Sequence, residues 1–387
     1  MKYYVNVMTQ LLTVSYQHNS FLSEFVPMAV DSPALSGALV SWASGHLSTV
    51  DNRYKITALE ARSTALSRLA EAISRGSDNI SVQETNAATC LVLLISEVCL
   101  GNHAGWYDHL IGAKNIISSA KFLANTGDEM LLGPNALKGS VEGRWILRNF
   151  AYHDILGSVT LGTKPLLRAD YLHDITGVID TYLGIGSGIL ILIAEISYLD
   201  PKSKSDTYTL PQNKKMSSKC SEIEQRLKAW QCHSDATSAL VALGYAYRSA
   251  ALIYLYRRMR SFIRLGSEYS SPTHRNELLG VLASKISLET TATLNHIAEI
   301  PSTEIVESAL LFPLFLAGGE ATKTMEINLI RQRLYLMLEK RHFQNISRAL
   351  AILEEVWDRR MARLTLESDD ADWQEILAGQ GCQLLLT

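Results

Sequence analysis

The chain is poor in cysteine. Five are spread over 387 residues, at Cys90, Cys99, Cys220, Cys232 and Cys382. An odd count at wide spacing is not a disulfide framework, and no two stand at the C-x2-C spacing of a zinc site. Cys90 and Cys99 lie in an apolar run, where a free thiol serves as a small hydrophobe. Such usage fits a reducing compartment, so nucleus and cytoplasm are the expected locations. Long hydrophobic runs are missing as well. The N-terminus, Met1-Lys2-Tyr3-Tyr4-Val5-Asn6, lacks the uninterrupted apolar core of a secretory signal. The most apolar window, Gly184 to Leu199, is shorter than the ~20 residues that cross a bilayer, and it carries three glycines and Glu195. It reads as a buried core helix, and no membrane partner is expected. A basic surplus is absent too. Lys and Arg number 36 against 39 Asp and Glu, a net charge of −3, so no global cationic grip on phosphates is indicated. Alternating strand patterns and a fixed-period repeat do not appear, which argues against a sheet and a regular solenoid.

What is present is helical. Hydrophobic residues make up 47% of the chain, enough for a sizeable core, and the length points to two lobes or one large helical array. Ser32-Pro33 opens a helix by capping and by a proline at its first position, and Leu35, Leu39, Trp42, Ala43 and Leu47 then mark one face. Gly76 reads as a left-handed terminator. Ser81 and Glu84 have the spacing of a capping box ahead of an almost wholly apolar helix to about Leu100. Further helices are predicted over Ala104–Leu123, Ser140–Ser158 and Asp180–Leu199, and in the second half over Ser221–Gln231, Asp235–Leu265, Arg275–Glu299, Thr303–Leu316, Thr322–Arg341 and Asn345–Leu366, with a short one around Trp373. The expected class is therefore all-α, a superhelical or bundle array without a sheet. The polar, lysine-rich stretch 201–219 reads as a linker between an N-terminal lobe, 1–200, and a C-terminal lobe, 220–387, which together could still form one domain.

No catalytic set, metal site or cofactor is expected, but several groups need weighing. Tyr152, His153 and Asp154 are the most enzyme-like cluster, since a carboxylate can orient an imidazole. Adjacent helical residues point about 100° apart, so the favoured reading is packing against neighbouring helices. His103 and His109 are six apart, not the three or four that share a helix face, and Trp106 reads as core. Gly184-Ile185-Gly186-Ser187-Gly188 lacks the Gly-Lys-Ser/Thr ending of a phosphate loop and reads as the lead-in to a helix. Arg257, Arg258, Arg260 and Arg264 are the densest basic cluster and read as a solvated face with salt bridges. Pro313 is expected to kink a helix, and Glu320, if buried, needs a partner. Asp369-Asp370-x-Asp372 resembles an Asp-rich diphosphate motif but sits in a polar tail, where acidic groups are mostly solvated.

Six segments, in order, resemble the fungal-specific transcription factor domain, the regulatory region of zinc-cluster factors. They are Ser32-Pro33-Ala34-Leu35 through Ser48, Trp106-Tyr107-Asp108-His109 through Ala113, Arg148-Asn149-Phe150-Ala151 through Gly157, Tyr247-Arg248-Ser249-Ala250 through Arg258, Leu311-Phe312-Pro313-Leu314 through Ala321, and Leu353-Glu354-Glu355-Val356-Trp357. The likeness is to the branch with regulators of sterol uptake and amino-acid catabolism. It implies a nuclear regulatory domain that senses a small hydrophobic or metabolite ligand and meets partners in the transcription machinery; a homodimer is one arrangement open to it. It also implies that DNA is reached only through a six-cysteine zinc cluster, which five scattered cysteines cannot form. The alternative is a stand-alone ligand-binding protein or enzyme of fungal secondary metabolism on the same scaffold. For that reading Tyr152, His153, Asp154 and Glu320 are the first residues to test. A scaffold that pairs with an intact zinc-cluster factor is a third.

Overall fold

The computed structural model describes residues 1–101, 105–123, 130–199, 210–232, 236–265, 272–363, 372–381 and 383–387. A π-helical turn, Tyr4–Met8, and three one-turn helices, α1 (Thr9–Leu12), α2 (Ser20–Ser23) and α3 (Phe25–Met28), lead into α4 (Pro33–Ser48). There follow α5 (Lys55–Arg75), α6 (Ile80–Leu100), α7 (Trp106–Ser119), α8 (Pro134–Leu137), α9 (Val141–Leu161) and α10 (Ser187–Tyr198). The second half holds α11 (Leu210–Ala229), α12 (Ser238–Leu265), α13 (Pro272–Ala298), α14 (Leu311–Glu320), α15 (Thr324–Arg341), α16 (Gln344–Arg363) and α17 (Trp373–Gly379). The all-α class expected from the pattern is the class observed.

Local chemistry sets most boundaries. The Ser32 hydroxyl accepts the Leu35 N–H at 3.3 Å and Pro33 takes the first helical position, as the sequence indicates. The capping box is not formed. Asn79 Oδ1 caps α6 by accepting the Ser81 N–H at 2.9 Å, which leaves Ser81 one residue inside the helix. Glu84 turns inward instead and accepts from Ser140, whose oxygen also caps α9 through the Gly143 N–H at 2.8 Å. Gly76 ends α5 with φ +64° and ψ 158°, a positive φ outside the left-handed helical well. Pro313 does not kink α14. It is the third residue of the helix, in the first turn, where the N–H it lacks has no intrahelical acceptor. The helix expected over Thr303–Leu316 is split there into a 3-10 turn, Ile305–Ala309, and α14.

Two further expectations are corrected. The helix read over Ala104–Leu123 stops at Ser119. It is followed by β1 (Lys121–Leu123), antiparallel to β2 (Met130–Leu132), with Phe122 opposite Leu131. Three-residue strands are too short to leave a period-two signal, so the sheet escaped the pattern. Helix α11 begins at Leu210, inside the stretch expected as a linker; residues 201–209 of that stretch lie outside the described ones. Cys220, Ile223 and Leu227, one helical face, are buried and anchor α11 beside α10 and α12.

Helix α6, apolar on nearly all sides, is buried from Asn86 to Cys99 and sits at the centre. Around it the packing closes on itself. Helix α6 meets α9, α9 meets α10, α10 meets α12, α12 meets α14, α14 meets α16, and α16 returns to α6. Both halves share this core. Thr160 Oγ1 donates to the Leu384 carbonyl at 2.6 Å, Trp106 Nε1 to the Gln383 carbonyl at 3.0 Å, and His46 Nε2 to the Arg341 carbonyl at 2.8 Å. By length and composition the long apolar helix is α12, not the Gly184–Leu199 window. Its Ser238–Arg264 stretch is long and apolar enough to cross a bilayer, and in this fold 72% of its most apolar window is buried.

Candidate functional site in the core

Helix α9 presents Tyr152, His153 and Asp154 at successive buried positions, so the three point apart. The Asp154 carboxylate accepts the N–H groups of Leu166 (2.7 Å) and Leu167 (3.1 Å) and pins the loop after α9. Burial dominates over those bonds and pushes its pKa up to about 7. His153 Nδ1 lies 2.8 Å from the Asn149 carbonyl, one turn back. A carbonyl only accepts, so Nδ1 carries the proton and Nε2 is a bare acceptor. Burial lowers the imidazole pKa to about 4, which keeps the ring neutral at pH 7. Tyr152 stacks on Tyr182 with ring centres 4.2 Å apart and planes 13° from parallel.

Tyr182 is placed by a tight turn. Asp180 and Gly184 exchange backbone hydrogen bonds of 2.8 and 2.9 Å, and Gly184 has φ +54°. A Cβ at Gly184 would also come within 2.6 Å of Leu240, so the first glycine of the Gly-rich run is required twice over. The Asp180 carboxylate accepts from Arg148 Nε at 3.0 Å and from the Tyr182 N–H at 2.9 Å. The glycine run is thus the lead-in to α10, as its sequence suggested.

Tyr152, His153 and Tyr182 face an internal cavity of about 30 Å³ at the junction of the two halves. Ile95 and Cys99 of α6 and Leu11 and Leu12 of α1 close one side. Ser308, Ala309, Met337, Arg341, Phe343 and Asn345 close the other. Four lining atoms are buried without a protein partner: His153 Nε2, the Tyr182 hydroxyl, Arg341 Nε and Asn345 Oδ1. Asn345 Nδ2 donates to the Thr387 carbonyl at 2.7 Å, which leaves Oδ1 as a buried acceptor without a protein partner. The cavity therefore offers two acceptors and two donors between apolar walls. Arg341 is almost fully buried, and burial lowers its pKa to about 10, so it remains a cation. Its nearest acid is Glu307, also buried, with Arg341 Nη2 at 3.9 Å, Lys340 Nζ at 3.6 Å and Arg333 Nε at 3.1 Å. None of these contacts has hydrogen-bond geometry, since both Glu307 oxygens lack a hydrogen-bond partner.

Glu320 lies elsewhere. It accepts from Arg257 and, at 2.9 and 3.0 Å, from both Nη atoms of Arg260. Arg257 also donates to both Asp372 oxygens, at 2.7 and 2.9 Å, and stacks over Trp373. The basic cluster read as a solvated face is thus turned inward at two of its four members, because Glu320 needs cations once buried. Arg258 donates to the Leu199 carbonyl, and Arg264 stays exposed. The residues singled out for an enzymatic reading are therefore split between two places. Asp372 caps α17 through the Gln374 N–H at 2.8 Å, while Asp369 and Asp370 lie outside the described residues, as does His103. His109 Nε2 stands 3.3 Å from Glu97, which also accepts from Arg62. Among the described residues no three His, Cys, Asp or Glu side chains converge as metal ligands would. Sequence reasoning missed Tyr182, Arg341 and Asn345, which come from three distant segments that only tertiary packing joins.

The sequence pattern of the fungal-specific transcription factor domain matches residues 1–387. The chain belongs to this family. Over 233 residues it is 25% identical to the transcriptional activator protein UGA3 of Saccharomyces cerevisiae, an alignment covering 51% of this chain and 44% of that protein. The chain thus spans less than half the length of this relative. No solved structure matches it. This fungal-specific transcription factor domain has a regulatory role, and its core cavity is lined from both halves of the chain.

Proposed function

We propose that this domain acts in the nucleus as the ligand-sensing region of a transcriptional activator, and that its core cavity is the sensor. The carrying observation is that four residues lining one cavity between the two halves each bury a polar atom without a protein partner. Buried polar groups are normally paired, and an unpaired one costs about 1–3 kcal/mol. A small molecule bearing a hydroxyl or amide group satisfies such atoms in both senses. The cavity's size favours a ligand of few atoms, or one that enters as α15 and α16 move away from α9. Either way the ligand stabilises one helical packing over another, which is how binding becomes a signal to transcription partners. A purely hydrophobic ligand would leave these four polar atoms unpaired.

Tyr182→Phe tests the reading. The ring keeps its stacking on Tyr152, and the hydroxyl that is lost has no protein partner, so stability without ligand stays the same or rises by about 1 kcal/mol. Thermal unfolding is then measured across a panel of small hydroxyl- and amide-bearing metabolites. A hit at a hundred times its Kd adds about 2.7 kcal/mol to the native domain, and Y182F loses most of that gain. An equal gain in Y182F, or no gain from any compound, contradicts the assignment.

A further inference from the structure

Among the described residues the chain buries two arginines, Arg257 and Arg341. A guanidinium taken out of water needs an anion, and acceptors for its N–H groups. Arg257 has both, since Glu320 and Asp372 meet it at hydrogen-bond distance. Arg341 does not. It is 2% exposed, its Nε has no partner, and its Nη2 stands 3.9 Å from Glu307, too far for a hydrogen bond. Glu307 is moreover shared. Arg333 Nε is 3.1 Å from it and Lys340 Nζ 3.6 Å, so one carboxylate stands among three cations. Arg333 and Lys340 keep some contact with water, and each donates to a backbone carbonyl, of Ile300 at 2.7 Å and of Ser302 at 3.2 Å. The charge left without an adequate counterpart is that of Arg341.

Arg341 also supplies the one charged side chain among the residues that line the core cavity. We infer that this cavity takes a small carboxylate bearing a hydroxyl group, with its anion on Arg341. The inference rests on the sensor reading above and names the ligand's chemical class. A carboxylate gives the buried guanidinium the planar, charge-assisted pair that Arg257 already has within the chain. The Tyr182 hydroxyl is a second unpartnered donor for the same group. His153 Nε2 and Asn345 Oδ1 are unpartnered acceptors, so the ligand needs a proton of its own, and a hydroxyl supplies it. The other polar lining groups are already used. Ser308 donates to the Thr13 carbonyl at 3.0 Å, and the Thr387 carbonyl is taken by Asn345. A cavity of about 30 Å³ has room for roughly two water molecules, so a hydroxy acid of about two or three carbons enters with little enlargement. Inorganic phosphate offers negative charge on a tetrahedral group, not a planar one, and serves as the control.

Calorimetric titration of the full chain with glycolate, with its uncharged amide glycolamide and with inorganic phosphate, at fixed ionic strength, tests this. Glycolate is expected to bind about tenfold more tightly than glycolamide, and R341M to lose that preference. R341M itself unfolds at the same or a higher urea concentration than the wild type, because replacing a poorly paired buried charge by an apolar chain is neutral or stabilising. R341K keeps the charge without the fork and retains part of the preference. Equal binding of glycolate and glycolamide, or an undiminished preference in R341M, overturns the anion assignment and leaves the sensor reading to the Y182F test. Phosphate bound more tightly than glycolate overturns the carboxylate. Binding of none of the three overturns this inference alone, because the wider metabolite panel decides the sensor.

Discussion

Replacing Arg257 by alanine is expected to cost the domain about 3–5 kcal/mol, a large share of the total stability of an ordinary fold. The guanidinium is 5% exposed and ties three helices together, from α12 to Glu320 at the end of α14 and to Asp372 at the cap of α17. Its neighbours explain its ionisation. Desolvation disfavours the charge, but Asp372 and Glu320 together outweigh it and raise the pKa. The same cations hold Glu320 below the usual carboxylate range despite its burial. Removing one member strands the others. Asp372 loses its bidentate partner, Glu320 keeps Arg260, and Trp373 loses the cation stacked 4.7 Å from its ring centre. Arg257→Lys keeps the charge but not the fork, so it recovers only part of the loss. Urea unfolding of wild type, R257A and R257K checks the order. A loss below about 1 kcal/mol for R257A, the range of a surface pair, would show that the cluster is solvated and not structural.

Stability against pH carries the second large effect, hidden in the wild type by cancellation. His153 has a native pKa lowered to about 4, against about 6.5 when unfolded. Its contribution is complete above pH 6.5 and is lost as the pH falls toward 4, by about 3 kcal/mol in all. Asp154 acts in the opposite sense. Its native pKa is raised to about 7, so its contribution is complete below about pH 4 and is lost as the pH rises to 7, by about 4 kcal/mol. The two slopes nearly cancel between pH 4 and 6.5. Each substitution unmasks the other. Asp154→Asn gains stability as the pH rises through that window, relative to wild type, and His153→Gln loses it. Urea midpoints at pH 4.5 and 6.5 for the three proteins decide this. Parallel slopes for all three would mean that neither group is desolvated in the native state.

Much of the fold could be read from local signals. Ser32-Pro33 and Ser140 cap helices because capping depends on a few neighbouring atoms. The position of α6 follows from apolar residues on every side. Local signals mislead where two candidates compete or an element is short. Asn79 outcompetes Ser81 as a cap, which frees Glu84 to bridge to Ser140. Pro313 is harmless because the chain starts a new helix just before it, a boundary set by packing. Arg257 and Arg260 read as a surface face because the acid they serve, Glu320, is some sixty residues away. The cavity was half legible. Tyr152 and His153 were singled out with Asp154, with packing as the favoured reading and a catalytic cluster as the alternative, whereas the structure joins them to Tyr182, Arg341 and Asn345. No spacing rule links residues so far apart in the chain.

The most direct measurement joins the cavity to transcription. The chain is fused to an unrelated DNA-binding domain, and reporter output is followed with and without a metabolite that stabilises the purified protein. The account predicts output that changes with that metabolite in the wild type and no longer responds in Y182F, while Y182F accumulates to the same level in cells. A reporter that ignores the metabolite, or responds equally in both proteins, would contradict it.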